Sequence, residues 1–472
     1  MKTLREGQIS DLAFFMRNRR CADLSDPGTG KTPPACAYMY WMWTRLGIRT
    51  CWVMPKSLLA KNQDELLEWT GFSAEDVVIF DGTPKQRTKL LETSKAKVWL
   101  MGFNRFSDQW KDLKDSFPDF DAVVVDEIHM GYKGHKSQRT QNFYKAMKKF
   151  DRFLAMTGTL IDGALSSAYP TIHVIEPRYY FSYASFIYEH AVMDMWGTII
   201  GWQNHEKLRK ILERHTVRHT FEEVYGKTKI VLQPRIVDME KAQRKAYDDF
   251  HNDALLELED TFLDGSVEGA STIRARQIMA HPENIKLPVE RDPITNKVLE
   301  WKSYAVVPEG TLTGKDEQLL IDLEDAKRTG EPLIIFAALQ AEQERIVKLV
   351  AKEGLRVELI NGNVPAKKRG EIDEKFRAGQ LDVIVASQET ASVGYNWGHV
   401  NHIIMVSIDY KNTNWTQALR RAIRGTRKKP LRVSLYKYRN SIDHRIFQIV
   451  DAKSLDAHKV DPSMEVLQLA AA

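Results

Sequence analysis

The chain has 472 residues, too many for one ordinary domain, and 43% hydrophobic with 10% aromatic residues is enough for packed cores, which excludes global disorder. A net charge of +5 and a pI near 8.8 permit a polyanionic partner without requiring one. Three cysteines, Cys21, Cys36 and Cys51, with no Cys-x-x-Cys pair and no close His, argue against a zinc site, and no signal core or run of about 18 apolar residues occurs, so a cytoplasmic protein without a membrane span is expected.

In chain order, the first strong local signal is Ser25-Asp-Pro-Gly-Thr-Gly-Lys-Thr32. Gly28 and Gly30, flanking Thr29, let the backbone approach phosphates closely, and N–H groups at a helix N-terminus then cradle the anion. Lys31 is expected to neutralise the β- and γ-phosphates of ATP and Thr32 to hold Mg2+. Pro33 and Pro34 suit a first helical turn, where N–H groups have no partner. Ser25 stands where the common phosphate-loop pattern has its first glycine.

Short apolar runs rich in β-branched residues follow at Thr50–Met54, Val77–Phe80, Val98–Met101, Ala122–Val125 and Phe153–Met156, separated by amphipathic stretches. Runs of this length read as strands buried on both faces, and helices between them imply a parallel sheet. Ala122–Val125 runs directly into Asp126-Glu-Ile-His129. An apolar strand ending in two carboxylates places both at the carboxyl edge of a parallel sheet, where ligands of such folds bind. Asp126 suits Mg2+ coordination, partly through water, and Glu127 suits orienting and deprotonating an attacking water. His129 is placed to sense the γ-phosphate.

From Glu240 to Met279 the texture is charged and helical, and from His281 to Gly314 it contains prolines. Asp292-Pro-Ile-Thr-Asn-Lys297 reads as a turn between two extended pieces. A second series of apolar runs follows at Leu333–Phe336, Val357–Ile360, Val383–Ala386, His402–Val406 and Val433–Tyr436, implying a second parallel sheet. Gln417, Arg421 and Arg424 are spaced i, i+4, i+7, on one face of a helix; a basic solvated face is the plain alternative. The closing Leu-Ala-Ala-Ala reads as a frayed tail.

Together these segments resemble helicase superfamily two. Asp126-Glu-Ile-His129 resembles its Asp-Glu-x-His box, and Met156-Thr-Gly-Thr159 its third motif, which couples hydrolysis to lobe movement. Leu4-Arg-Glu-Gly-Gln8 resembles its glutamine motif, which implies that Arg5 and Gln8 lie at the nucleotide, with Gln8 on the base. Trp52-Val-Met-Pro-Lys-Ser-Leu58 resembles the nucleic-acid-contacting segment after the second strand, which implicates Lys56 and Ser57. Ser387 to Asn396 resembles the fifth motif, which implies nucleic-acid contact at Thr390 and nucleotide contact at Gly394 and Asn396; Ala391 and Ser392 stand where a Gly-Gly pair is common. By the same resemblance, Gln417 sits near the lobe interface and Arg421 and Arg424 serve the γ-phosphate. Ile360-Asn-Gly362, Arg369, Phe376-Arg377 and Gly379, with Lys241–Phe250 and Arg276-Gln-Ile-Met-Ala-His-Pro282, resemble the Swi/Snf-type branch, and the length resembles compact Swi/Snf-like helicases of large bacteriophages. Leu160 departs from that branch, where Pro is common, as does the spacing of Arg424 to its glycine.

The resemblance implies an α/β fold of two RecA-like parallel-sheet lobes with a helical insertion between them. The expected division is lobe 1 over residues 1–230, a protrusion and linker over 231–314, lobe 2 over 315–455 and a tail over 456–472. The expected activity is an ATP- and Mg2+-dependent DNA translocase remodelling duplex or branched DNA, with replication or recombination proteins as partners. A strand-separating DNA or RNA helicase, with the stretch near Asp292 as a pin, a catalytically weak DNA-binding scaffold and a nucleotide-only ATPase are the alternatives.

Overall fold

The computed structural model describes residues 2–258, 262–264, 270–293, 295, 297–391, 394–410, 412–423, 427, 429–460 and 469–470. Two compact units divide the chain, one from residues 1–227 with 453–466, the other from residues 228–452 with 467–472. Each is built round its own parallel sheet, so the expected fold class, α/β with two parallel-sheet lobes, is borne out.

The strands of the first unit are β1 (Arg20–Asp23), β2 (Arg49–Met54), β3 (Val77–Ile79), β4 (Val98–Gly102), β5 (Phe120–Asp126), β6 (Arg152–Met156), the hairpin β7 (Ala191–Met193) and β8 (Ile199–Trp202), and β9 (Thr216–Val217). Seven of them form a sheet in the order β3-β4-β2-β5-β6-β1-β9, parallel throughout. Every residue of β4 is buried, as are Thr50–Met54 of β2, because helices cover both faces. Trp52 and Trp99 are fully buried, and Trp99 packs against Phe80, Phe117 and Phe120.

Strand order puts the working edge in one place. In register, Asp23 of β1 and Asp126 of β5 both lie opposite Met156 of β6, so three strands end side by side. The phosphate loop leaves the first, the acidic pair the second and the Thr-Gly-Thr turn the third. The loop then enters helix Thr32–Leu46, with Pro33 and Pro34 in its first turn and Gly47, at φ 67°, closing its end.

The second unit contains β10 (Ile230–Val237), β11 (Leu255–Glu257), β12 (Phe262–Asp264), β13 (Ile285–Arg291), β14 (Val298–Tyr304), β15 (Leu333–Phe336), β16 (Val357–Ile360), β17 (Val383–Ala386), β18 (His402–Met405) and β19 (Leu431–Tyr438). Six strands pair in the order β10-β19-β18-β15-β17-β16, all parallel. Helix Gly314–Thr329 begins on a Thr313–Asp316 capping box and ends at Gly330, φ 66°.

Three details correct the reading of the sequence. Strands β1, β9 and β10 are not among its apolar runs. The stretch from Glu240 to Met279 is two helices, Lys241–Asp253 and Ala270–Ala280, with the hairpin β11–β12 between them, not continuous helix. The closing tail is docked at Leu469, which is fully buried; Asp451 accepts from the backbone N–H of Leu469 and Ala470 at 2.9 and 2.7 Å, and Leu469 O accepts from Lys437 Nζ at 2.8 Å. The expected turn near Asp292 is borne out: β13 and β14 are antiparallel and Asp292 N donates to Lys297 O at 2.8 Å. Among the described residues no helix is long and apolar enough to cross a membrane.

Candidate active site

The phosphate loop of the first unit is shaped by its glycines. Gly28 and Gly30 have φ of 90° and 93°, conformations that L side chains rarely adopt. A side chain at Gly30 would also meet Arg5 Nη2 at 2.7 Å and Gln8 Nε2 at 2.8 Å. Gln8 is buried on the first turn of helix Glu6–Arg17; its amide donates to Gly30 O at 2.9 Å and its carbonyl accepts from Arg5 N at 2.9 Å, while Arg5 donates to Thr29 O. Helix and loop are therefore one body. Thr29 Oγ1 donates to Asp26 O at 2.8 Å, and Lys31 Nζ donates to Ser25 O at 2.7 Å and Asp26 O at 3.2 Å, which holds its charge over the loop. Thr32 opens the following helix and is half-buried.

At the end of β5, Asp126 accepts from Asn62 Nδ2 at 3.3 Å and from Glu127 N at 3.0 Å. Burial first, then the neighbouring Glu127 carboxylate, pushes the Asp126 carboxyl well above its ordinary range, with Lys31 and Asn62 opposing. A half-buried carboxyl at a strand end beside a second carboxylate suits a divalent cation, which supplies countercharge. Glu127 takes a left-handed backbone, φ 47° and ψ 51°, unusual for a residue with a side chain and a mark of functional sites. Its Oε2 lies 3.4 Å from Thr157 Oγ1 and 3.5 Å from His129 Nδ1, and that same ring nitrogen lies 2.8 Å from Thr157 Oγ1. Burial depresses the His129 pKa and favours the neutral ring. The Asp-Glu-x-His and Thr-Gly-Thr segments thus form one hydrogen-bonded group. Gly158 completes the contact with the phosphate loop by lying directly against Pro27.

The remaining sequence-derived residues stand as follows. Lys56, in a short helical turn after β2, is exposed and paired with Asp81 at 2.9 Å; Ser57 is exposed beside it. In the second unit Thr390 Oγ1 accepts from Ser387 Oγ at 2.8 Å, Gly394 has φ 89° and Asn396 is exposed. Gln417 and Arg421 are buried on helix Asn412–Ala422, and Arg421 O accepts from Trp397 N at 2.8 Å. Gln417 and Arg421 both lie on that helix, four residues apart and so on one face; Arg424 and Ser392 lie outside the described residues.

Comparison with known proteins decides the family. The SNF2-related domain family matches residues 16–284, more than half of the chain, and the helicase conserved C-terminal domain family matches residues 315–426. The chain belongs to the SNF2-related family. The chromodomain-helicase-DNA-binding protein 3 homolog of Caenorhabditis elegans is 23% identical over 407 residues, 82% of this chain and 21% of that protein. An uncharacterized ATP-dependent helicase of Mycoplasma genitalium is 22% identical over 406 residues, 85% of this chain and 36% of that protein. This SNF2-related chain therefore spans about a fifth to a third of the length of these two curated relatives. The Hef helicase domain of Pyrococcus furiosus shares the fold, with a TM-score of 0.53 at 15% identity over 94% of this chain and 97% of that one.

Beside the phosphate loop of this SNF2-related chain lies a cavity of about 310 Å³. Arg5, Gln8 and Lys31 line it, as the motifs suggest, together with Asp11, Asp23, His219 and Glu223, which sequence reasoning missed. His219 follows β9; its Nε2 lies 2.8 Å from Asp11 Oδ1 and its N–H donates to Ser25 Oγ at 3.0 Å. Arg218 Nη2 pairs with Asp26 at 3.0 Å, and Phe221 N donates to the same carboxylate at 2.9 Å. The chain near residue 220 therefore clamps the loop from outside the motifs. The adjoining Arg218 and His219 directly after the two β-branched residues Thr216 and Val217 are the local sign. Asp23 Oδ1 accepts from Ser25 N at 2.9 Å, and its Oδ2 is buried without a hydrogen-bond partner among the described residues.

Proposed function

We propose that this chain is an ATP-driven translocase that moves along DNA and remodels duplex or branched structures in replication, recombination or repair. The observation that carries the reading is the convergence of the phosphate loop, Glu127, His129 and Thr157 on adjoining strand ends of one sheet, in a chain that also carries the helicase C-terminal domain. The cavity beside the loop is rich in carboxylates, which suits the donor groups of a base and ribose better than phosphates. The triphosphate belongs instead over Gly28–Thr32, with Lys31 as its counter-cation. Thr32 and Asp126 would hold Mg2+, which supplies charge neutralisation of the phosphates there.

Glu127 orients and deprotonates the attacking water, and His129 and Thr157 fix its carboxylate. Arg421 and Arg424 stabilise the charge that develops on the transferred phosphate, while Gln417, Gly394 and Asn396 serve the nucleotide from the second domain. Residues 1–230 are the nucleotide-binding lobe, 231–314 a protrusion and linker, 315–455 the second lobe and 456–472 a tail. Lys56, Ser57 and Thr390 grip the sugar-phosphate backbone without reading bases. Backbone contacts release counterions, so affinity falls steeply with salt and hardly varies with sequence.

The test is ATP turnover measured in parallel with duplex DNA, a four-way junction, single-stranded DNA and RNA, together with displacement of a triplex strand. Stimulation well over tenfold by duplex or branched DNA, with triplex displacement, is expected. Equal stimulation by RNA with no displacement refutes translocation and favours a strand-separating helicase, a reading for which the hairpin β13–β14 speaks.

A further inference from the structure

The hairpin β13–β14 carries a feature that the motor chemistry does not use. The period of two along its strands puts Lys286 and Pro288 on one face with Trp301 and Ser303 opposite them. The other face holds the buried Ile285, Leu287 and Tyr304. The first face borders a cavity of about 560 Å³, within the usual range for small-ligand sites of about 300–1,000 Å³. Trp301 forms one wall while remaining 56% exposed. Leu339 and the start of helix Gln340–Lys352 form the opposite wall, with Gln277 and Gln340 contributing amides.

The chemistry of this lining is specific. A half-exposed indole at a cavity wall offers a flat apolar face on which a planar ring can stack. Gln277 Oε1 accepts from Arg274 at 2.9 Å and Gln340 Nε2 donates to Glu344, which leaves Gln340 Oε1 as an acceptor and Gln277 Nε2, in a long 3.5 Å contact with Lys286 O, as a donor for the edge of a nucleobase. Among the described residues of the lining, Lys286 is the one cation with a full charge; His281 is buried, its Nδ1 lies 2.8 Å from Asn284 O, and burial keeps it neutral. The carboxylate of the lining, Glu344, accepts from Gln340 Nε2 at 2.8 Å through Oε1 and, as an acceptor, suits the N–H edge of a base and not its phosphate. An aromatic platform, hydrogen-bonding amides and one lysine fit an unstacked base with its phosphate. A stacked duplex presents no free base face to such a wall.

We propose that this cavity binds an unpaired nucleotide of single-stranded DNA, with its base stacked on Trp301 and its phosphate near Lys286. The proposal rests on the reading of the chain as a DNA motor and assigns that motor a contact to the unpaired strand of a branched substrate. Stacking on one aromatic residue accounts for roughly tenfold or more in affinity for single strands.

The full chain is tested without nucleotide, using a short oligodeoxythymidine and an abasic oligomer with the same number of phosphates. The wild type should bind the thymidine oligomer about tenfold more tightly than the abasic one. Trp301→Ala should lose that advantage and Trp301→Phe should keep most of it, whereas Lys286→Ala should weaken both oligomers alike. Photo-cross-linking of an iododeoxyuridine oligomer should map to Trp301. Duplex-stimulated ATP turnover, measured separately, should be unchanged in Trp301→Ala, which also shows that the variant is folded. Equal affinity of wild type and Trp301→Ala for the thymidine oligomer, the outcome expected of a peptide-binding groove, overturns the proposal. Failure of the motor reading is seen elsewhere, as absent duplex-stimulated turnover of the wild type.

Discussion

The contact between Gly158 and Pro27 joins the third motif to the phosphate loop, and Gly158→Ala measures it. A Cβ built at Gly158 stands 2.7 Å from Pro27 Cγ and 3.0 Å from Pro27 N, and closer still to Cδ. Ordinary contact begins at 3.4 Å, so the methyl must displace the ring by about 0.7 Å at Cγ alone. The ring is poorly placed to yield, because Asp26 before it is held by Arg218 and Phe221 and Gly28 after it sits at φ 90°. Overpacking of this kind costs about 1–3 kcal/mol. In a unit of this size each kcal/mol lowers the melting temperature by about 2–4 °C. Displacing the loop also moves the phosphate cradle, and an error approaching 1 Å in such a site costs up to about a hundredfold in turnover.

Gly370→Ala is the matched comparison. Gly370 lies inside helix Ala366–Arg377 of the second unit, and an added Cβ meets nothing within 4 Å. There the same substitution should stabilise by about 0.5–1 kcal/mol through helix propensity. Calorimetry with ATP-binding titrations reads both variants. A Gly158→Ala protein that melts, binds ATP and turns over like the wild type refutes the idea that the motifs are locked through this glycine.

Glu127→Gln keeps the shape of the site and removes the proposed base; it should bind ATP normally and hydrolyse it about a thousandfold more slowly, as read by single-turnover kinetics. Arg421→Gln should lower turnover more than tenfold with little change in ATP affinity if Arg421 serves the transferred phosphate as proposed, since such a contact strengthens in the transition state; full DNA-stimulated turnover would place Arg421 on a merely structural helix. Leu469→Ala should destabilise the second unit by about 2–4 kcal/mol in thermal melts, since the side chain is fully buried, whereas a frayed tail would show no effect. Burial first, then Arg432, depresses the pKa of His402, which lies 2.8 Å from Ser434 Oγ through Nε2. The unfolded chain then binds the proton more readily, so this contribution to stability is intact above the ordinary histidine value of 6.5 and is lost as pH falls below it. Denaturant melts of His402→Gln should show a shallower loss between pH 6.5 and 4.5 than the wild type.

Local chemistry makes much of the protein legible along the chain. Ten short apolar runs mark ten sheet strands, because strands covered by helices, most of them fully buried, cannot hide their composition. The glycines of the phosphate loop and the carboxylates after β5 are readable because each group works within a few residues of its neighbours. The strands that escape notice have physical reasons to do so. Thr216–Val217 is too short for any periodicity, and Ile230–Val237 lies at a sheet edge, half-exposed and with Pro234 inside it.

Tertiary structure alone decides how the parts meet. Residues near 11, 23 and 219 form one cavity wall because β9 pairs with β1 across almost 200 residues of chain, a pairing that no local pattern encodes. Leu469 reads as the start of an unpatterned alanine tail and becomes core because Asp451 and Lys437 hold its backbone. The left-handed turn at Glu127 and the approach of Gly158 to Pro27 depend on three strand ends lying in register. Sequence specifies which groups are present and their near neighbours; long-range pairing supplies the angles and distances, because closing a long stretch of chain is a property of the whole packed unit and not of any window along it.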